Sequence, residues 1–312
     1  MNFKPLLRLF GIGMVMGAAE IVPGVSGGSI AFITGIYERL LNAIKHFTPM
    51  LLLKLKDDGL KATWVAVDAN FLLTLMAGMA VSILLLASGL HYLLDHQPVM
   101  IWSFFFGLVL LSVWIVLRRI TRFGLDIGFA IGVGIAFGYI VTSAVPLNLS
   151  PTPLNLFLGG VIAISAWVLP GISGSFMLLI MGLYRFVIEA ISELNLMLLV
   201  SFAAGCGIGI VAFSHLLSRL LARYQNETLA VLTGVMLGSL GKIWPWRHVS
   251  SYQIKPDGSQ TPLVETPVLP GAYVDLTGAD ADIGLAIAGF VLGAVAVLGL
   301  HLLSREASAS VT

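Results

Sequence analysis

The sequence predicts an all-α polytopic membrane protein with an inverted-topology repeat. Each half is a glycine-broken re-entrant helical hairpin followed by three transmembrane helices. Three observations predict it: an apolar composition with six long hydrophobic stretches, a Pro-Gly-Ser motif that occurs twice, and a one-sided distribution of basic residues.

Of 312 residues, 58% are hydrophobic and only 11% charged, and mean hydropathy is +0.97. Soluble domains average about 25% charged residues, so the chain belongs in a bilayer. Segments at about 69–90, 99–117, 126–145, 196–217, 228–244 and 282–302 are apolar enough to cross a core of about 30 Å as helices. The fifth is short, and its start can slide. No small-residue cleavage pattern follows the apolar run from Phe10, so no signal peptide is expected. A net charge of +1 gives nucleic acid no basic surface to bind. The single cysteine, Cys206, cannot form an internal disulfide, and no Cys/His spacing suits a metal. No cofactor is expected.

The repeat comes next. A shift of 147 residues superposes Pro23-Gly24-Val25-Ser26-Gly27 on Pro170-Gly171-Ile172-Ser173-Gly174, and also Gly35 on Gly182 and Tyr37 on Tyr184. A shift of 127 pairs Ala77-Gly78 with Ala204-Gly205 and Gly107 with Gly234; a shift of 156 pairs Asp126-Ile127-Gly128 with Asp282-Ile283-Gly284. Four ordered correspondences mark a duplication. The two repeats run over 1–147 and 148–312.

Each motif breaks a helix, and length decides how. From Phe10 to Val22 is about 13 residues, or about 20 Å of helix, too short to cross. Hairpins re-entering at about 10–44 and 155–191 are therefore expected. With the N-terminus inside, this topology puts twelve basic residues (Lys4, Arg8, Lys45, Lys54, Lys56, Lys61, Arg118, Arg119, Arg122, Arg219, Arg223 and Arg305) on the cytoplasmic side. Outside fall only Lys242, Arg247 and Lys255, in a polar external loop over 245–280 and at its edge. That asymmetry follows the positive-inside rule. Three crossings per half invert the second half, and both termini are cytoplasmic. Inverted repeats with broken helices are a recurring transporter architecture.

Pro23, Gly24, Pro170 and Gly171 are the helix-break residues: proline lacks an N–H, and glycine admits a tight turn. After each break a helix restarts at Ser26-Gly27-Gly28-Ser29 and Ser173-Gly174-Ser175. Its unused N–H groups and the positive end of its dipole suit an anion such as phosphate. A tight turn whose serines satisfy only their own backbone is the competing reading. Glu20, three residues before Pro23, is a carboxylate in apolar surroundings and a candidate coupling or gating group, for proton or sodium; a structural ion pair is its plainer role. Arg39 and Arg185 follow the motif tyrosines and either contact the phosphate or anchor at the interface. Arg118 and Arg119 mark topology and are candidates for headgroup contact at the inner mouth. No His pairs with Ser and an acid, so catalysis is not expected.

These residues carry a resemblance. GAAEIVPGVSGGS (Gly17 to Ser29) with GIYERLLNAI (Gly35 to Ile44), and LPGISGSFMLLIMGLY (Leu169 to Tyr184), resemble the bacterial undecaprenyl phosphate translocase family, formerly domain of unknown function 368. The resemblance covers about residues 5–303. It implies a multi-pass protein of the bacterial inner membrane that returns a polyprenyl phosphate carrier lipid to the cytoplasmic leaflet. The broken helices and inverted repeats add the expectation of alternating access, with the phosphate held between the hairpin tips. The second motif reads Ser175-Phe176 where the first has Gly28-Ser29. The alternative reading is an ion-coupled secondary transporter of a small soluble anion. A membrane phosphatase would need a nucleophile with an adjacent base, and none stands out.

Overall fold

A computed structural model of the chain describes residues 3–22, 25–254 and 260–309. The first half contains α1 (Phe3–Ile21), α2 (Gly27–Ile33), α3 (Tyr37–Ile44), α4 (Met50–Ala66), α5 (Ala69–His96), α6 (Pro98–Leu117) and α7 (Leu125–Ser143). The second contains α8 (Pro153–Val168), α9 (Gly174–Ile180), α10 (Tyr184–Ser192), α11 (Leu196–Arg223), α12 (Gln225–Ser239) and α14 (Ile283–Ala309). Between α12 and α14 lie a 3-10 turn (Leu240–Ile243), strands β1 (Arg247–Ile254) and β2 (Gln260–Pro267), and α13 (Pro270–Thr277).

The fold class holds: α5, α6, α7, α11 and α14 are long and apolar enough to cross a membrane, and α9 and α10 form a pair bent by 105°. Several expected boundaries need correction. The first hairpin arm begins at Phe3, so α1 has 19 residues, about 28 Å of helix. The second arm is not continuous. Gly35 (φ +76°) and Gly182 (φ +72°) each end a seven-residue helix. The amide of Ile36 donates to Ala31 and that of Gly35 to Phe32; Leu183 and Gly182 repeat this with Leu178 and Leu179. This is a Schellman stop, which needs the left-handed residue that glycine supplies. The segment expected over 228–244 is the 15-residue α12 plus the 3-10 turn; it is buried on most sides, so packing rather than bilayer thickness sets its length. The segment expected as a loop over 245–280 carries the antiparallel β1–β2 pair and α13. A further helix, α4, covers the basic stretch after the first hairpin and kinks at Gly59.

Four tight helix pairs build the bundle: α1 with α5, α8 with α11, α7 with α12, and α6 with α14. Each closes on glycine, as spans do when small residues let backbones approach. A Cβ on Gly134 would lie 2.9 Å from the Cα of Gly234, and one on Gly234 equally close to Gly134. The contacts advance together by one turn on both members: Gly13–Leu75 then Gly17–Met79, Phe157–Gly205 then Val161–Gly209, Gly134–Val231 then Gly138–Val235, Met100–Gly289 then Phe104–Gly293. All four pairs are therefore parallel. Arg122 agrees, pairing with Asp126 at the start of α7 and with Glu227 at the start of α12.

Direction follows. A single residue separates α5 from α6 and α11 from α12, and both linkers have one conformation: Gln97 at φ −135°, ψ 50° and Tyr224 at φ −132°, ψ 55°. The seven residues between α6 and α7 reach at most about 25 Å, too little to return across the bilayer. Spans joined this way alternate in direction, so corresponding helices of the two halves point oppositely. Two of the four pairs, α6–α14 and α7–α12, join one half to the other.

Candidate functional site

The two breaks meet each other. Pro23 and Gly24 lie outside the described residues. On the far side of that break Ser26 is extended (φ −120°, ψ 132°) and caps α2, its Oγ accepting from Gly28 N at 3.1 Å. The same hydroxyl lies 3.1 Å from Leu169 O and 3.3 Å from Trp167 O in the other half, and donates to that pair of carbonyls. Gly27 N donates to Glu20 Oε1 at 2.7 Å. A Cβ on Gly27 would sit 2.8 Å from that oxygen, so a larger residue there would push the carboxylate off this bond. Glu20 thus caps the restarted helix from seven residues upstream. Its carboxylate also meets the side chain of Trp167, the residue that occupies its own position in the second repeat.

The second break is held from the first half. Tyr37 Oη donates to Val168 O at 2.9 Å, and Gly171 N donates to Ser29 Oγ at 3.1 Å. A helix end leaves carbonyls without intrahelical partners; those of Trp167, Val168 and Leu169, at the end of α8, are met by Ser26 and Tyr37. The arrangement also sets the positive end of α2 against the negative end of α8. Gly171 takes φ +88°, and a Cβ there would lie 2.9 Å from Met236 Cα. Gly28 packs as closely on the carbonyls of Trp167 and Val168.

The breaks are not equivalent. Ser26 and Ser29 are fully buried, and their oxygens are engaged. Ser173, also buried, makes no capping bond to α9; its Oγ lies 2.9 Å from that of Ser175, which is exposed. Pro170 and Gly174 are buried beside it.

The arginines lie apart from these serines: among the described residues no hydrogen bond joins them. Arg39 makes a bidentate pair with Asp68, Nε–Oδ2 2.6 Å and Nη2–Oδ1 3.0 Å, and stacks over Phe71. Arg185 is exposed over the Phe186 ring, and Arg118 over Trp114. Arg119 reaches the bend of the first hairpin, 5.1 Å from the Phe32 ring centroid. Burial lowers its pKa, and nearby Glu38 opposes that shift.

Sequence reasoning missed the cluster at the segment between α12 and α14. Arg247 pairs with Glu265 at 2.8 Å and stacks over Trp102; Lys242 shares Glu265 and lies over Phe176, the residue after Ser175. Burial lowers the pKa of Arg247, and Glu265 counters it. Trp244 and Trp246 donate to Val268 O and Ala281 O, fixing the loop over the bundle. Beside it an aromatic crevice of about 230 Å³ is lined by Phe106, Trp244, Trp246 and Phe290. The tryptophans after the 3-10 turn were the available signal, since their N–H groups seek partners when buried.

Comparison with known proteins finds relatives along most of the chain. The family model described as undecaprenyl phosphate translocase-like matches residues 16–261. A polyprenyl-phosphate transporter of Vibrio cholerae is 45% identical over 289 residues, covering 93% of this chain and 94% of the relative. A polyprenyl-phosphate transporter of Staphylococcus aureus is 31% identical over 265 residues, 75% of this chain and 84% of the relative. No solved structure matches the chain.

Proposed function

The chain belongs to the undecaprenyl phosphate translocase-like family, and from that premise we propose that it carries polyprenyl phosphate across the bacterial inner membrane to recycle the carrier lipid. The observation that carries the proposal is the meeting of two helix breaks from halves of opposite direction. At membrane depth, irregular backbone persists only where protein or a watery cavity covers it, and inverted-repeat transporters bind substrate where such breaks meet.

In the proposed cycle the bonds from Ser26, Ser29 and Tyr37 to residues 167–171 are a closed gate. When they part, the phosphate enters between Ser26-Gly27-Gly28-Ser29 and Ser173-Gly174-Ser175, and rearrangement of the repeats, 1–147 and 148–312, releases it on the other side. Exposed Ser175 and Arg185 make the outer approach, and Arg118 with Arg119 the inner one. The polyprenyl tail stays in lipid, and the aromatic crevice suits an isoprenoid unit. Glu20 is the coupling or gating group: a proton or sodium ion on its carboxylate weakens its hold on Gly27 N and loosens the restarted helix. Both termini face the cytoplasm, where the basic residues sort.

Leaflet exchange of labelled undecaprenyl phosphate in sealed proteoliposomes tests the reading. Wild type is expected to exchange the lipid. Glu20→Gln keeps an oxygen for Gly27 N, so it is expected to fold and to lose any response to a pH gradient. Absence of exchange by well-folded wild type would overturn the proposal.

A further inference from the structure

Away from the breaks, a cavity of about 520 Å³ opens between residues 45–54 and the C-terminal part of α11. His215, Ser218, Arg219 and Ala222 line it from one face of α11, at the i, i+3, i+4, i+7 spacing of a helix. Lys45, His46 and Lys54 line the opposite wall, and no Asp or Glu lines it. Lys54 and Arg219 form no ion pair among the described residues. Both imidazoles are oriented by a backbone carbonyl at Nδ1, His46 by Asn42 at 2.6 Å and His215 by Val211 at 2.9 Å. A carbonyl can only accept, so each Nδ1 carries the proton and each Nε2 edge is left for another group. The Oγ of Ser218, in the cavity wall, is buried and has no hydrogen-bond partner among the described residues.

Three permanent cations, Lys45, Lys54 and Arg219, with no acidic side chain, suit one ligand chemistry: an anion such as a phosphate, whose acidic hydroxyl the free Nε2 edges can accept. The rim indicates its source. Met50, which lines the cavity, is 71% exposed, and Leu53 and Leu216, next in sequence to the lining residues Lys54 and His215, are 57% and 50% exposed. Exposed apolar side chains beside the opening suit a ligand carried in a lipid surface. We propose that this cavity is a second anionic site, which takes the phosphate of a lipid headgroup at the basic face of the membrane. It shares no residue with the paired breaks and does not rest on the transport reading: the headgroup binds here whether or not the lipid crosses.

The test is equilibrium binding by the purified full chain in neutral detergent, with dioctanoyl phosphatidic acid and, separately, inorganic phosphate as probes. Phosphatidic acid is expected to bind, and affinity to fall about fivefold for each cation removed in Lys54→Gln and Arg219→Gln. Lys61→Gln, an exposed cation on α4 outside the cavity, is expected to change nothing. Inorganic phosphate binding as tightly, with the same variant pattern, would reassign the site to free phosphate and overturn the lipid source. Unchanged affinity in the Lys54→Gln/Arg219→Gln double variant, or an equal loss in Lys61→Gln, would overturn the site itself.

Discussion

Tyr37→Phe separates a gate from a fixed strut. The Tyr37 ring is 1% exposed and packs 4.8 Å from Phe32, so phenylalanine keeps the shape and removes only the hydroxyl. What is lost is one buried hydrogen bond to Val168 O across the two halves, worth about 1 kcal/mol net. If the bond exists only in the closed state, the open population rises about fivefold, since about 1.4 kcal/mol is a factor of ten. The chain has one cysteine, so Cys206→Ser gives a clean background for a reporter. Ser173→Cys replaces a residue 1% exposed, and its labelling by a water-soluble maleimide in proteoliposomes measures opening. The expected result is about fivefold faster labelling with Tyr37→Phe, while Ser175→Cys, already exposed, labels at one rate in both backgrounds. Unchanged labelling of Ser173→Cys alongside a lower melting temperature would refute the gate, because the bond would then support the whole fold rather than one state of it.

Three further outcomes follow from the packing. Gly134→Leu forces bulk into the seam with Gly234 and is expected to cost about 3 kcal/mol or more, whereas Gly132→Ala, with nothing within 4 Å, is expected to be neutral or mildly stabilising; thermal melts of the two variants check the contrast. Arg39→Gln breaks an ion pair whose arginine side chain is 56% exposed, so the melt should show a loss of at most about 1 kcal/mol and lipid exchange should persist; loss of exchange without unfolding would return Arg39 to the substrate path. Glu265→Ala strands the Arg247 guanidinium, whose side chain is 10% exposed, and should destabilise the segment between α12 and α14 by about 3 kcal/mol, detected as faster proteolysis between β2 and α14.

Much of this was legible in residue order. The doubled Pro-Gly-Ser motif located both breaks, and the 127-residue shift that pairs Gly107 with Gly234 also carries Gln97 onto Tyr224, two linkers with one backbone conformation. Gly35 and Gly182 were legible as a pair, but not as helix stops: the stop depends on a left-handed φ that a sequence does not print. The partners of Glu20 and Arg39 were hidden for another reason. Gly27 lies beyond the break from Glu20, Trp167 in the other half, and Asp68 is 29 residues from Arg39; only tertiary folding brings them together. The capping serines were assigned to an anion, whereas in this state Ser26 and Ser29 are engaged by residues 167–171. The sequence could not distinguish the two uses because both need the same donors and acceptors.

The cross-pairing of α6 with α14 and α7 with α12 bears on how the protein is made. Synthesis delivers α6 and α7 to the bilayer well before their partners exist, so each must wait there with its contact face against acyl chains. A face of charged or amide side chains would be costly to leave so and prone to pair with a neighbour. Gly107, Gly134 and Gly138 expose little beyond backbone already bonded within the helix, and lipid tolerates that surface. A seam built on glycine can be left open during assembly and closed late, when α12 and then α14 arrive to complete it.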